Sequence, residues 1–257
     1  MKVRCIWEHN GSDSLVYSAD FVGAFTRGSS QRIALSKMEQ EIRSYLRWRT
    51  AGESGAGSSE SEINVEAKTE NDTEINTEIN TEIIQESRVD LNVADADSDV
   101  IFDEEKQPLS MEEYLELKRL ALKSAADFLR LYESIPDKDR SCLPERKTFY
   151  GAVPRTAREM YEHTKSVNSY YFGEIDVEAD NEGTILACRE AGFKALEKRE
   201  NFLENPVIDG SYGEMWSLRK VLRRFIWHDR IHAKAMYRMA VKTFECEEIT
   251  DVFRFEH

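Results

Sequence analysis

Four long stretches of helical periodicity in the second half of the chain constrain its fold more than any other feature. Apolar residues recur there at intervals of three and four, as on the buried face of an amphipathic helix. Ser110 with Glu113 and Thr156 with Glu159 form capping boxes before the first two stretches, and Pro136 ends the first. The predicted helices cover about residues 111–135, 155–174, 181–204 and 213–244. They predict an all-α antiparallel four-helix bundle.

The beginning of the chain has the pattern of strands. Residues 2–8 and 14–19 are rich in β-branched and aromatic residues, and they flank Asn10-Gly11, a dipeptide typical of hairpin turns. The segment 21–26 can add a short third strand. We therefore expect a β-hairpin that is extended by one further strand.

An amphipathic helix follows these strands. Ser30 is its predicted N-cap, and the helix covers about residues 30–49, so the first 50 residues form a small α+β module. With F-V-G-A-F-T-R-G-S-S at the passage from strand to helix, the module resembles the HicB-like antitoxin fold. The prolines of the P-D-x-P-G segment that precedes the helix in that family are absent here. The resemblance implies a partner-binding, regulatory role.

A polar segment separates the module from the bundle. Residues 51–82 contain a glycine- and serine-rich stretch and a tandem T-E-I-N repeat, a composition that favours a mobile loop over an ordered element. Residues 83–102 have the pattern of one or two strands that can complete the N-terminal sheet. The predicted domains are therefore an α+β module at 1–105 and a helical bundle at 106–257.

The net charge limits the classes of partner. At −14, the chain repels phosphate backbones and anionic lipid surfaces. Its two dense basic segments, 43–49 and 219–224, recur at helical spacing, which favours solvated helix faces over a nucleic-acid surface. We expect no nucleic-acid partner.

The cysteines and the hydropathy pattern indicate a cytoplasmic protein. The four cysteines Cys5, Cys142, Cys188 and Cys246 include no C-x-x-C pair, and the start MKVRCIWEHN lacks the features of a signal sequence. No apolar run approaches the roughly 20 residues that span a bilayer. We therefore expect a reducing compartment and no membrane insertion.

A histidine pair in the last predicted helix is the strongest chemical signal. In F-I-W-H-D-R-I-H-A-K, His228 and His232 stand at i and i+4, so their imidazoles share one helix face and can chelate one ion. Helical steps from Leu222 and Phe225 reach these positions, which directs the pair into the bundle. His163 on the second helix can face the same interior.

A shared metal ion would give all three imidazoles a partner. Single helix histidines are often ordinary core or surface residues and H-x-x-x-H pairs also arise by chance, but the third histidine favours metal binding. Three neutral imidazoles leave coordination positions open for water or substrate, as in catalytic sites. Zinc, nickel, iron and manganese are all chemically acceptable.

With these residues the region 110–245 resembles the DinB-like superfamily (DinB/YfiT type), bundles that bind a divalent metal through one histidine of the second helix and an H-x-x-x-H pair of the last. His163, His228 and His232 match those ligands. The chain departs from the family pattern where Ile231 replaces an additional histidine, and Ala233 and its neighbours stand where a glutamine is common.

The resemblance also implies a function, and polar residues near the three histidines are candidates for supporting roles. Characterised relatives are transferases and isomerases that use low-molecular-weight thiols, and bundles of the family commonly form homodimers. Asp229 and Glu162 could orient imidazole nitrogens, and Tyr170 or Tyr171 could donate to a bound ligand. The resemblance identifies no catalytic residue.

The sequence leaves two hypotheses open. The first is a divalent-metal-dependent enzyme that acts on a small-molecule substrate or thiol. The second is a non-enzymatic, antitoxin-like interaction protein in which the bundle is a scaffold, and exposure of Tyr45 and Trp48 would favour it. The chain has no G-x-G-x-x-G, P-loop or G-x-S-x-G motif and no zinc-finger cysteine spacing, so neither a nucleotide cofactor nor a hydrolase triad is predicted.

Overall fold

The computed structural model describes residues 1–51, 78–148, 151–245 and 249–255. Most of the predicted loop at 51–82 lies outside the described residues. The chain forms two compact units that divide between residues 98 and 99, and the segment from Arg254 onward joins the first. The domain boundary between 105 and 106 stays a prediction.

The first unit is built on a four-stranded mixed sheet. The predicted hairpin is confirmed, and Asn10 forms its turn by accepting hydrogen bonds from the backbone N–H groups of Ser12 and Asp13 at 3.0 and 2.9 Å. The strand order is β3-β2-β1-β4, in which only the β1–β4 pair is parallel. The strands are β1 (Lys2–His9), β2 (Ser14–Ser18), β3 (Phe25–Gly28) and β4 (Asn80–Arg88).

The third and fourth strands differ in extent from the prediction. The structure begins β3 at Phe25, because the segment 21–24 forms a turn in which Ala24 donates to the carbonyl of Phe21. One strand, β4, completes the sheet as expected, and no second strand follows it between residues 89 and 102. A short 3-10 helix at Val93–Asp95 occupies part of that segment.

The predicted helix at 30–49 is two helices, α1 (Gln31–Leu35) and α2 (Met38–Thr50). Ser30 caps the first, as predicted. The break falls at Ser36 and Lys37, where the Lys37 N–H donates to the carbonyl of Ala34 at 3.1 Å in a tightened turn. The prediction of one continuous helix is therefore wrong.

Two residues of these helices depart from the usual amphipathic pattern. The acidic Glu41 is buried, whereas the apolar Ile33 is exposed. Tyr45 and Trp48 are buried, and the Tyr45 hydroxyl donates to the carbonyl of Val22 at 2.9 Å. The exposed aromatic surface that would have favoured an interaction protein is therefore not present at these two residues.

The second unit is mainly helical, and the predicted fold class, an α+β module followed by a helical bundle, is confirmed. Both predicted capping boxes are present, at Ser110 with Glu113 and at Thr156 with Glu159. The first and last of the four helices pack along each other, the second packs mainly against the last, and the third packs against the first and the second. The helices are α3 (Met111–Ser134), α4 (Ala157–Gly173), α5 (Ile185–Leu196) and α6 (Leu218–Thr243).

Two helices are shorter than their periodicity predicted. The structure ends α5 at Leu196 with tightened backbone bonds, and Asn201 then adopts a left-handed conformation at φ 58°. The segment predicted as the start of the last helix instead contains β8 (Met215–Trp216), which pairs with the preceding β7 (Ile208–Asp209). Another short hairpin, β5 (Lys147–Thr148) with β6 (Gly151–Ala152), precedes α4.

The helix α6 is the core helix of this unit and buries charge as well as apolar surface. The basic segment 219–224 was expected to be a solvated face, but Lys220, Arg223 and Arg224 are buried. Arg223 forms an ion pair with the buried Glu105. That expectation is wrong because parts of the chain outside the four helices cover this side of α6. No helix in the described part of the chain is long and apolar enough to cross a membrane.

Candidate metal centre

Three imidazoles converge between α4 and α6. His228 and His232, one turn apart on α6, have ring centroids 4.4 Å apart. His163 on α4 faces them across the helix interface, with its ring centroid 5.2 Å from that of His228 and 4.6 Å from that of His232. One potential ligand atom from each ring lies within 4.8 Å of the other two. The structure therefore brings together the three histidines that the sequence singled out.

The three histidines differ in their exposure. His228 is buried, His232 is half-buried, and His163 is exposed. The interior position expected for His163 is therefore wrong. The structure turns its neighbours Met160 and Thr164 inward instead, which leaves His163 at the outer edge of the helix interface. The cluster has a buried end and a solvent-facing end, an arrangement that admits a ligand from one side.

Packing holds the buried imidazole in its neutral form. Burial lowers the pKa of His228 well below 6.5, and the two nearby imidazoles and the guanidinium groups of Arg224 and Arg189 lower it further. Desolvation also lowers the pKa of His163, although that residue as a whole is exposed. Neutral imidazoles are the form that binds metal.

One buried atom in the cluster has no hydrogen-bond partner among the described residues. The Nδ1 atom of His228 makes no hydrogen bond with any described residue. A buried polar atom of this kind carries a desolvation cost that a bound ion or ligand can offset. An orphaned ring nitrogen within a cluster of three imidazoles fits a divalent metal of borderline softness, which prefers nitrogen donors.

The cluster is wider than a closed metal site. Three nitrogens at about 2.1 Å from one ion would lie about 3–3.5 Å apart. The separation of up to 4.8 Å means that the rings must approach one another by about 1–2 Å when they bind an ion. Exposed His163 is the ligand least restrained by packing, so we expect most of that adjustment there.

Neither carboxylate that was expected to orient the imidazoles forms a hydrogen bond with them in the described structure. Asp229 is fully buried and pairs with Arg189, while it accepts a hydrogen bond from Ser124 at 2.5 Å. Glu162 forms an ion pair with Lys165 at 2.9 Å on the exposed side of α4. Both carboxylates therefore pair with side chains other than the imidazoles.

Tyr170 and Tyr171 differ in their exposure to solvent. Tyr171 is buried, and its ring packs edge-to-face on His228 with centroids 6.0 Å apart. Tyr170 is exposed and packs on Trp216, with centroids 5.8 Å apart. Tyr171 can therefore fix the orientation of the His228 ring, whereas only Tyr170 is presented to a ligand from solvent.

The sequence reasoning missed Arg224. It stands one turn before His228 on α6, and its guanidinium carbon lies 4.8 Å from the ring centroid of Trp227, 5.4 Å from that of Tyr171 and 5.7 Å from that of Trp216. The signal was present, because Arg224, His228 and His232 recur at intervals of four and share a helix face.

Comparisons with protein-family models, with curated proteins and with solved structures found no match for this chain.

Proposed function

We propose that the helical unit binds one divalent metal ion through His163, His228 and His232 and is a metal-dependent enzyme. The observation that carries the proposal is the convergence of three imidazoles, one potential ligand atom from each lying within 4.8 Å of the others. One of their ring nitrogens, Nδ1 of His228, is buried and has no hydrogen-bond partner in the described part of the chain. Zinc, nickel, iron and manganese all suit this donor set.

The three histidines leave coordination positions for a ligand. A metal with three protein ligands keeps at least one position for water or substrate, which is the pattern of catalytic sites rather than structural ones. A bound divalent ion would supply Lewis acidity, which lowers the pKa of a thiol or water that it coordinates. His163 stands at the solvent-facing side of the cluster, so a small molecule reaches the site from there.

The other residues of the site hold its geometry. Tyr171 packs on His228 and restricts the rotation of that ring. The capping box at Thr156 and Glu159 fixes the start of α4, one to two turns before His163. The resemblance to the DinB-like superfamily favours a thiol-dependent transferase or isomerase reaction, with a low-molecular-weight thiol as substrate or co-substrate.

Cobalt(II) tests whether the site has an open position. The metal-free protein is titrated with cobalt(II), and mercaptoethanol is then added while the visible and near-ultraviolet spectra are recorded. We expect a cobalt spectrum that depends on the three histidines and a new thiolate-to-metal absorption when the thiol binds. A cobalt spectrum that mercaptoethanol leaves unchanged would mean a closed structural site and would contradict the enzymatic proposal.

The His228→Ala/His232→Ala double variant shows whether that spectrum comes from this cluster. The matched control is His9→Ala, because His9 belongs to the first unit and contacts Glu86 at 3.0 Å rather than the cluster. The control should reproduce the wild-type spectrum, and the double variant should show free cobalt only.

A further inference from the structure

We infer that Arg224 is the anion-recognition residue of this site, so that the ligand is a small molecule with an anionic group, such as a carboxylate, about one helical turn from its metal-binding group. The inference rests on the proposed metal site and adds the substrate class. It comes from the position and surroundings of one cationic side chain.

Arg224 lies on the ligand-binding face of α6. Residues four apart on a helix share a face and are separated by about 6 Å along the axis. Arg224 therefore stands about 6 Å before His228 along the helix, and His232 lies the same distance beyond it. A ligand that lies along α6 from the metal position reaches Arg224 with its other end.

Aromatic rings surround the guanidinium and hold it in place. Trp216, Trp227 and Tyr171 lie within 5.7 Å of it, and Tyr171 and Trp227 also contact the ring of His228. The guanidinium and the imidazole thus share two neighbouring rings. Such packing fixes an arginine in one orientation, which reduces the entropy cost of binding an anion.

Exposure distinguishes Arg224 from the other buried cations of the same segment. Arg224 keeps 9% of its surface exposed, compared with 2% for Arg223 and 0% for Lys220. Tyr170 is exposed, and although desolvation raises the pKa of its hydroxyl, the charge of the Arg224 guanidinium acts to lower that pKa. Tyr170 lies on the same helix as exposed His163, two turns beyond it. Of these three buried cations, Arg224 is therefore the most accessible from solvent.

The two acidic residues near Tyr170, Glu214 and Glu174, have other partners. Glu214 forms an ion pair with Lys220 at 2.8 Å. Glu174 accepts a hydrogen bond from the backbone N–H of Ser211 at 2.8 Å. A ligand anion at Arg224 would therefore not have to displace either carboxylate. With the imidazoles neutral, a bound divalent ion and Arg224 give the site a net positive charge within a chain of net charge −14.

Two thiols of similar length, one anionic and one neutral, test the inference. Mercaptopropionate and mercaptopropanol are titrated into the cobalt(II) protein, and their affinities are read from the thiolate-to-metal absorption. We expect wild-type protein to bind mercaptopropionate roughly tenfold more tightly, the effect of one charge-assisted hydrogen bond. In Arg224→Met the two affinities should become equal, while the affinity for mercaptopropanol stays within about twofold of wild type.

Two further variants separate a local contact from a general effect of charge. Arg238→Met removes the same charge from an exposed position on α6 and should keep the preference. Arg224→Lys keeps the charge but loses the forked donor geometry, so it should retain only part of the preference for the anionic thiol. Circular dichroism establishes that each variant is folded.

Three results overturn the inference: equal affinities in wild type, a preference that persists in Arg224→Met, or a loss of the preference in Arg238→Met. The comparison of the two thiol affinities in wild-type protein tests the inference even if Arg224→Met does not fold. Absence of cobalt binding would contradict the metal site itself, whereas cobalt binding without a preference for the anionic thiol contradicts only the role of Arg224.

Discussion

The guanidinium of Arg189 holds the carboxylate of Asp229 in a two-pronged contact, with both nitrogen-to-oxygen distances at 3.2 Å and both side chains fully buried. Asp229 follows His228 directly in the chain, so this ion pair between α5 and α6 fixes the rotation of α6 at the imidazole cluster. Ser124 of α3 donates to the same carboxylate at 2.5 Å, which ties a third helix to the contact.

Removal of one partner of this pair should destabilise the protein strongly. Asp229→Ala leaves the Arg189 charge buried without its carboxylate, and we expect a loss of about 3–5 kcal/mol in the free energy of unfolding. The double variant Arg189→Met/Asp229→Leu removes both charges and should lose much less. Urea unfolding in the presence of a chelator measures the free energy of unfolding of both variants without a contribution from metal binding.

An exposed ion pair on α3 provides the control for this prediction. Arg119→Ala breaks the pair with Glu116, whose atoms are 2.7 Å apart at the surface, and should change the free energy of unfolding by no more than about 1 kcal/mol. If Asp229→Ala were no more costly than Arg119→Ala, the buried pair would not organise the three helices.

A close approach between α4 and α5 makes Gly192 sensitive to any side chain. A Cβ atom on Gly192 would lie 2.1 Å from Cε2 of the buried Phe172, so the Phe172 ring or one of the two helices has to shift. We expect Gly192→Ala to cost about 1–3 kcal/mol in urea unfolding. Gly173→Ala is the matched control, because a Cβ there meets no atom within 4 Å. Equal stability of the two variants would contradict the packing described here.

The depressed histidine pKa values predict how the stability of the metal-free protein depends on pH. His163 and His228 have lower pKa values folded than the ordinary 6.5, so the unfolded chain binds more protons once the pH falls to that range. Their contribution is complete above about pH 6.5 and is lost progressively as the pH falls toward the folded-state pKa values.

Chemical unfolding at about pH 7.5 and pH 5.5 tests the sign of this effect. Wild-type protein should be less stable at the lower pH, and His228→Ala should show a smaller difference. The His9→Ala control should keep the wild-type difference, since that residue is outside the cluster. A wild-type protein that becomes more stable on acidification, or an unchanged difference in His228→Ala, would contradict the assignment.

Local geometry explains why the histidine pair could be predicted and the third histidine only in part. Residues at i and i+4 of one helix meet whatever the helix packs against, so the contact between His228 and His232 follows from the sequence alone. The contribution of His163 depends on the rotation of α4 about its axis. That rotation is set by long-range packing at Met160 and Thr164, which a periodic pattern does not reveal.

Arg224 and the break after α1 show two further limits of sequence reasoning. Basic residues at helical spacing are usually solvated, but Trp216 and Tyr171, neither of which lies on α6, cover Arg224. At the break after α1, the Lys37 N–H donates to the carbonyl of Ala34 in a tightened turn, which apolar periodicity does not reveal. The capping boxes were predicted because their partners are only three residues apart.

Elemental analysis of the purified protein tests the metal centre most directly. The wild type, the His228→Ala/His232→Ala variant and the His9→Ala control are purified anaerobically, supplied with divalent metals, and freed of unbound ions before analysis. We predict about one divalent ion per chain in the wild type and the control and almost none in the double variant. A wild-type protein without metal, or a double variant with undiminished metal content, would contradict the account.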